Sequence, residues 1–211
     1  MTGASEFTDD GLIRRMMAGD EEGFTLLYRR RQPSIYRFAL HMSGNTATAE
    51  DVTQEVFMTL IRDPRRFDPS RGTVGAFLFG IARNHLRKRW EQDQRLVPLA
   101  GDSDELSLMS GGGTLGPASV NGNGHQAATG WDELSSMEMV ERVRKVIRTL
   151  PGNYREVVVL CELEEMSYEE AAAALDCPVG TVRSRLHRAR AILLEKLRDA
   201  EPAPRASAVG E

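Results

Sequence analysis

Cysteine is scarce in this 211-residue chain, which has only Cys161 and Cys177. Two cysteines cannot form a disulfide framework, and these two lack the Cys-x-x-Cys spacing of a zinc site. We therefore predict reduced thiols, no metal and no cofactor. The four histidines are scattered, and the sequence contains no recognisable nucleophile–base set or phosphate-binding loop. An enzyme is accordingly the least supported function class.

Long apolar runs are also missing. A membrane span needs roughly 20 consecutive apolar residues, and no segment approaches that length. Residues 1–10 are polar and acidic, unlike a signal peptide. We therefore expect a cytoplasmic protein with no direct insertion into a membrane.

The net charge is small, at −4, but it is unevenly distributed. Residues 12–95 carry 15 basic and 10 acidic side chains, whereas residues 96–136 carry five acids and no base. Residues 137–199 balance at 11 of each. A basic block, an acidic connector and a neutral block predict three parts with different partners.

The acidic connector has the composition of a linker. Residues 96–136 include eight glycines, interspersed with Ser, Asn and Asp. Such a stretch cannot bury enough apolar surface to offset the conformational entropy that ordering it would cost. We therefore predict a flexible linker. Residues 111–116 formally match G-x-G-x-x-G, but no strand precedes them and no amphipathic helix follows, which excludes dinucleotide binding. The tails, 1–10 and 200–211, are predicted to be disordered.

The basic block shows helical periodicity and almost no strand signal. We predict a helical stretch over residues 11–40 that Pro33 breaks or kinks. A second helix is predicted to start near Thr48, with a capping box that uses Asp51, and to stop at Asp63-Pro64.

A third helix is predicted over residues 74–90. One face forms an apolar stripe of Val74, Phe77, Leu78, Ile81, His85 and Leu86. The other face carries Arg83, Asn84, Arg87 and Lys88. The loop before it, residues 62–73, is rich in Arg, Asp and Pro.

The neutral block contains a helix-turn-helix pattern. Ser167 and Glu170 have the spacing of a capping box, which opens a short helix, residues 168–175, with four central alanines. Small side chains let a second helix cross closely. Asp176 is expected in the turn because its short side chain tolerates the left-handed region, and the next helix is predicted over residues 179–197.

The last helix has a basic outer face near its start. Val182, Leu186, Ala189 and Leu193 recur at core spacing, so four polar side chains point outward: Arg183, Ser184, His187 and Arg188. Such a face is often merely solvated. In this chain the basic helix follows a capping box, an alanine-rich helix and a tight turn, in that order. This arrangement favours a recognition helix that contacts bases in the major groove of DNA.

Three motifs resemble those of a known family, the extracytoplasmic-function (ECF) sigma factors of bacterial RNA polymerase. Residues 167–185 resemble sigma region 4.2, which reads the minus-35 promoter element. Residues 49–57 resemble region 2.2, which docks on the clamp helices of the largest polymerase subunit. Residues 80–84 resemble region 2.3, which helps to melt and read the minus-10 element.

The resemblance implies an all-α fold of two small helical domains, region 2 over residues 11–95 and region 4 over residues 137–199, joined by the flexible linker. By position in the motifs, the polymerase contacts would be Asp51, Gln54 and Glu55. The minus-10 contacts would be Arg83, Asn84, Arg87, Lys88 and the 62–73 loop. The minus-35 contacts would be Thr181, Arg183, Ser184, His187 and Arg188.

The implied partners are the core polymerase, through its clamp helices and flap, promoter DNA, and an anti-sigma factor. Some residues have plainer interpretations: Asp51 could be a helix-start charge, Asn84 could be simply solvated, and His85 and Trp90 fit core packing better than ligand binding. A rival interpretation of the whole chain is a stand-alone transcriptional regulator with an N-terminal effector domain.

Overall fold

The computed structural model describes residues 7–96 and 130–199. Within these ranges there are eight α-helices and no strand. The helices are α1 (Asp9–Met17), α2 (Glu21–Ser43), α3 (Thr46–Arg62), α4 (Val74–Leu96), α5 (Gly130–Arg148), α6 (Gly152–Val158), α7 (Tyr168–Leu175) and α8 (Val179–Asp199). Two 3₁₀ turns, Pro64–Arg66 and Pro69–Arg71, lie between α3 and α4, and a π-helical turn, Val159–Leu163, follows α6. The all-α prediction is confirmed.

The predicted single stretch over residues 11–40 is wrong, because it forms two helices. The chain turns at Gly19, whose φ of +87° lies in the left-handed region that glycine adopts without strain. Asp20 then caps α2 by accepting from the Glu22 amide at 2.9 Å. Of the break or kink predicted at Pro33, the break is wrong, since α2 continues through this residue, and the kink stays a prediction. Proline has no backbone N–H, so the carbonyl one turn earlier in α2 receives no hydrogen bond from it. Because Pro33 is exposed, water can bond that carbonyl instead.

The start of α3 also differs from the prediction. Asn45, not Thr48, is the N-cap, and its side chain accepts from the Thr48 amide at 2.9 Å. Asp51 therefore lies in the second turn, outside any capping box, and pairs with Arg89 of α4 at 2.9 Å. The interpretation of Asp51 as a helix-start charge is thus wrong.

Helices α1 to α4 enclose the first part of the core. Phe38 of α2 is fully buried and meets Phe79 of α4 edge-on, with ring centroids 5.4 Å apart. The predicted stripe of α4 is buried at Val74, Leu78 and Leu86 and half-buried at its other positions. Trp90 packs against the core, as expected.

The second block begins earlier than predicted. Helix α5 starts at Gly130, inside the stretch assigned to the linker, while residues 97–129 of that stretch lie outside the described residues. The tails 1–6 and 200–211 are likewise outside them. The capping box of α7 is confirmed, because Ser167 Oγ accepts from the Glu170 amide at 3.2 Å and Glu170 accepts from the Ser167 amide at 3.0 Å. Asp176 adopts φ +49°, as predicted.

The two helical blocks pack on one another. Helix α7 lies along α4, and buried side chains from both blocks belong to one continuous apolar cluster. The sequence suggested two units with separate cores. Instead the two blocks share one core, and α4 and α7 face each other across a cleft.

Candidate nucleic-acid and protein-binding surfaces

The outer face of α8 has the geometry expected of a recognition helix. Val182, Leu186 and Ala189 are buried. Four predicted contact residues are exposed, namely Arg183, Ser184, His187 and Arg188, and Thr181 is half-buried. The helix therefore separates core and outer faces as the spacing predicts, and its contact with DNA stays a prediction.

Two arginines of α8 are held by neighbours. The Arg183 guanidinium lies 5.7 Å from the Tyr168 ring centroid, a cation–π contact with the first residue of α7. Arg190, which the sequence analysis did not single out, donates to Glu162 Oε1 at 2.9 Å through Nε. Arg190 is therefore engaged within the protein, whereas Arg183 keeps its donors available.

The predicted minus-10 residues do not form one uniform face. Asn84, Arg87 and Lys88 are exposed on α4. Arg83 is half-buried, because its Nε donates to Glu156 Oε1 at 2.9 Å and a terminal nitrogen donates to the Leu175 carbonyl at 3.1 Å. Arg83 is therefore only partly exposed on this face, its partners were too distant in sequence to be recognised, and its contact with the minus-10 strand stays a prediction.

A cleft of about 960 Å³ lies between the two blocks. One wall is the 62–73 loop with the start of α4, where Phe67 and Phe77 have ring centroids 5.7 Å apart. The other wall is α7 and the turn that follows it. Arg66, Arg71, Arg83 and Arg87 all line the cleft, which makes it basic and partly aromatic, a combination suited to nucleic-acid strands.

The predicted polymerase-binding residues are exposed beside an apolar groove. Asp51, Gln54 and Glu55 are all exposed on α3. Gln54 also lines a groove of about 540 Å³ whose apolar walls are Phe24, Tyr28, Tyr36, Phe57, Met58 and Ile61. This groove was not predicted from the sequence, because the helical spacing of Phe24 and Tyr28 is that of ordinary core residues, yet Tyr28 is 40% exposed.

Ion pairs and hydrogen bonds join the two blocks. Arg37 of α2 binds Glu164 through two parallel bonds, of 2.9 and 2.6 Å. The Glu164 side chain is only 3% exposed, and burial raises its pKa, an effect that Arg37 partly offsets. Thr73 donates to Glu170 at 3.2 Å, so the capping carboxylate of α7 also contacts the loop before α4.

Arg155 is a buried link between the blocks, with only 5% of its surface exposed. Its guanidinium donates to the carbonyls of Met42 at 3.0 Å, Leu150 at 3.0 Å and Arg148 at 2.5 Å. These carbonyls lie near the C-terminal ends of α2 and α5, where helix dipoles favour a cation. Burial lowers the pKa of Arg155 below its ordinary value, and its Nε lacks a hydrogen-bond partner among the described residues.

His41 is surrounded by positive charge at the same junction. Burial lowers its pKa from 6.5 to about 4, and four arginines add to the effect: Arg144, Arg148, Arg37 and Arg155. Between these pH values the unfolded chain binds a proton at His41 that the folded chain does not. We therefore expect acidification through this range to lower the free energy of unfolding, by at most about 1.4 kcal/mol per pH unit. Urea denaturation at a series of pH values measures the slope.

The control for this prediction is His41→Gln, which cannot titrate. Glu164 acts with the opposite sign, because its raised pKa lets the folded chain hold a proton more tightly than the unfolded chain does. The informative quantity is therefore the difference in slope between the parent chain and the variant. Equal slopes in the two proteins would contradict the assigned role of His41.

The described residues contain neither a metal-binding cluster nor a membrane-spanning helix. No group of three or more His, Cys, Asp or Glu side chains there could hold a metal ion. In the same ranges, no helix combines the length and apolar character needed to cross a bilayer.

Comparison with known families gives two matches, one in each helical block. Residues 27–96 match the model of Sigma-70 region 2, and residues 140–193 match that of Sigma-70 region 4. The first match covers the groove except Phe24 and the basic face of α4, and the second covers α7 and most of α8. The two matches occur in the order that the resemblance implied.

Relatives and solved structures agree with these matches. The ECF RNA polymerase sigma-E factor of Escherichia coli K12 is 33% identical over 199 residues, 92% of this chain and 96% of its own length. SigW of Bacillus subtilis 168, an ECF RNA polymerase sigma factor, is 30% identical over 191 residues, 89% and 95% of the two chains. CnrH, solved in complex with the cytosolic domain of CnrY, superimposes with a TM-score of 0.63 at 25% identity and covers 92% of this chain and 99% of its own. This chain therefore belongs to the ECF family of RNA polymerase sigma factors, which direct the polymerase to promoters when transcription is initiated.

Proposed function

We propose that this chain holds a promoter at two points while bound to the core polymerase. Residues 11–95 would be the minus-10 and polymerase-binding domain, and residues 137–199 the minus-35 domain. The chain would act in the cytoplasm by binding rather than by bond chemistry. The observation that carries the proposal is the exposed basic face of α8, which lies on a capped and tightly turned two-helix unit.

Helix α8 would enter the major groove of the minus-35 element. The proposed contacts are Thr181, Arg183, Ser184, His187 and Arg188. An arginine can bond two acceptors of one guanine, and each good pair contributes roughly 1–3 kcal/mol of discrimination. Arg188 supports this role best, because it is exposed and has neither an ion pair nor a ring contact in the part of the chain described.

The basic face of α4 would take the unpaired minus-10 strand. The proposed contacts are Arg83, Asn84, Arg87, Lys88 and the 62–73 loop. Unstacking a base costs a few kcal/mol, which stacking and phosphate contacts can recover. The cleft has both kinds of group, because the half-buried Phe77 lies beside its arginines, whereas Phe67 is buried beneath it.

Helix α3 would dock on the clamp helices of the largest polymerase subunit. Asp51, Gln54 and Glu55 would supply the polar contacts, and the apolar groove beside them would supply the buried centre. Interfaces of this kind combine an apolar core with a polar rim. Tyr28, Met58 and Ile61 are exposed at 40%, 37% and 48%, which gives the groove apolar surface to bury.

An anti-sigma factor is a further proposed partner. CnrH was solved with the cytosolic domain of CnrY, and a sigma factor of Bartonella quintana with the anti-sigma factor NepR. The latter superimposes with a TM-score of 0.61 at 24% identity and covers 84% of this chain and 98% of its own. The inhibitor would compete with the polymerase for the exposed surfaces of this chain.

Transcription with purified components tests the proposal. Sequencing the transcripts induced by overexpression would identify a promoter, and runoff transcription from it should require both this chain and the core polymerase. Footprinting of the same promoter by the chain alone should be weak. A strong footprint without polymerase, together with no transcription in its presence, would instead support a stand-alone regulator.

Arg188→Ala should lower runoff transcription about 10-fold or more, because one base-reading contact is lost, while affinity for core polymerase stays unchanged. Runoff assays and fluorescence anisotropy with labelled core measure the two quantities. The matched control is Arg198→Ala, an exposed arginine three turns further along α8, which should transcribe normally. Equal loss of core binding and transcription in Arg188→Ala would count against the assignment.

A further inference from the structure

Helix α8 carries a further exposed arginine, Arg190, in line with two of the proposed minus-35 contacts. Arg190 follows Arg183 by seven positions and His187 by three, so helical spacing places all three on one face. At a rise of about 1.5 Å per residue, Arg190 lies about 10 Å beyond Arg183 along the helix axis. A helix whose first turns read bases in the major groove brings such a side chain towards the phosphates at the edge of the groove.

This arginine is bound by a carboxylate of its own chain. Glu162 Oε1 accepts from Arg190 Nε at 2.9 Å and from Arg190 Nη2 at 2.5 Å. The bonds to Glu162 are the main reason that the pKa of Arg190 is raised above its ordinary value, and Tyr168 adds to the effect. Carboxylates and phosphates compete for the same guanidinium donors. Arg190 therefore has to give up Glu162 before it can make a full contact with DNA.

The carboxylate comes from a fixed part of the backbone. Glu162 lies in the π-helical turn Val159–Leu163, a rare kind of turn that occurs frequently at functional sites. Val159 and Leu160 at its start are fully buried. The turn cannot move away from α8 without exposing these core residues, so Glu162 stays within reach of Arg190.

Stability of the fold does not depend on this ion pair. The side chains of Arg190 and Glu162 are 55% and 40% exposed, and exposed ion pairs contribute little to the free energy of unfolding. Either residue can therefore be changed without unfolding the chain. An effect of the pair should appear in DNA binding instead.

The neighbouring arginine of the same face is held in a different way. The Arg183 guanidinium lies 5.7 Å from the Tyr168 ring centroid, and a ring face attracts a cation without using its N–H donors. Arg183 can therefore bond DNA while it remains on the ring. The two arginines are unequally available, because only Arg190 has an anionic competitor.

We propose that Glu162 sets the affinity of α8 for duplex DNA by withholding Arg190 from the phosphate backbone. The inference rests on the proposed function, because it assumes that α8 lies in the major groove of the minus-35 element. Phosphate contacts carry no sequence information, so an occupied Arg190 weakens binding to all duplex DNA and leaves the reading of bases unchanged. Glu162 is in this sense an affinity-setting residue that itself makes no contact with DNA.

Glu162→Gln tests the inference by releasing Arg190. One added phosphate contact should raise affinity about 8-fold at about 0.1 M salt and steepen the plot of log K against log salt concentration by about 0.9. Fluorescence anisotropy of the full chain measures both, with a fluorescein-labelled minus-35 duplex from a promoter identified by transcript sequencing. A duplex with a scrambled minus-35 element should gain as much. The same variant assembled with core polymerase should show the same gain on the promoter duplex.

Removal of one negative charge also strengthens binding to DNA by itself, and two comparisons isolate the part that depends on Arg190. In an Arg190→Gln background, Glu162→Gln can act only through charge, which salt screens, so its gain should be much smaller. The matched control in the parent background is Glu169→Gln, which removes an exposed carboxylate from the first turn of α7. This variant should leave the salt dependence nearly unchanged.

The outcomes separate this inference from the proposed function. Equal gains from Glu162→Gln with and without Arg190 would overturn the inference, because charge alone would then explain them. Weaker binding by Glu162→Gln would overturn it as well, since the pair would then hold Arg190 in place for DNA. Failure of the parent chain to support transcription with core polymerase would instead refute the proposed function.

Discussion

Leu186→Ala is expected to lower the free energy of unfolding by about 2–5 kcal/mol. Leu186 is 2% exposed and lies in α8 between the buried residues Val182 and Ala189. Truncation removes its buried methyl groups and leaves a cavity that the close-packed surroundings can fill only in part. Because α8 carries the proposed minus-35 contacts, the loss should also reduce promoter use at elevated temperature.

Denaturation in urea, followed by circular dichroism, measures this loss, and α8 itself offers the control. Leu194 is 59% exposed, so Leu194→Ala should change stability by less than about 0.5 kcal/mol. The two variants delete the same atoms from the same helix and differ only in burial. Similar small losses in both would mean that α8 is not packed as described.

Arg155→Met is expected to destabilise the fold by about 2–4 kcal/mol. The change leaves the carbonyls of Met42, Arg148 and Leu150 without the donor that they share, and each unsatisfied buried group costs about 1–3 kcal/mol. Part of that cost is offset, because a guanidinium no longer has to be desolvated. Chemical denaturation of the full chain measures the net effect.

Two further variants make the second prediction specific. Arg144→Met removes an exposed arginine of α5 whose ion pair with Glu141 spans 3.7 Å, and it should be close to neutral. Arg155→Lys keeps the charge but lacks the planar fork that reaches carbonyls on two sides, so it should not restore stability. A full rescue by lysine, or a gain in stability with methionine, would contradict the bonding described.

Local chemistry explains what could be predicted from the sequence. The Ser167–Glu170 box and the left-handed Asp176 depend on neighbours a few residues away, so their spacing was sufficient evidence. The outward face of α8 followed from helical periodicity. The start of α3 could not be decided in this way, because Asn45 and Thr48 are both good capping residues and only the folded backbone selects between them.

Contacts between the blocks were beyond sequence reasoning. Arg83 and Glu156 are 73 positions apart, and Arg37 and Glu164 are 127 apart. Nothing in the local pattern distinguishes these side chains from solvated charges. Arg155 lies two residues before a run of apolar residues, which was the one available sign of burial, but the three carbonyls that it serves belong to two segments, one of them 113 positions away. The apolar groove beside α3 was missed for a different reason, because helical spacing does not show which apolar side chains, such as Tyr28 and Ile61, remain exposed.

The pair formed by Arg83 and Glu156 has a consequence for the evolution of this protein. A carboxylate oxygen 2.9 Å from the guanidinium offers the same kind of acceptor as a phosphate oxygen. The proposed minus-10 contact of Arg83 would therefore exchange one anionic acceptor for another. The strength of the Arg83–Glu156 pair sets the cost of that exchange, and selection is expected to keep it within narrow limits.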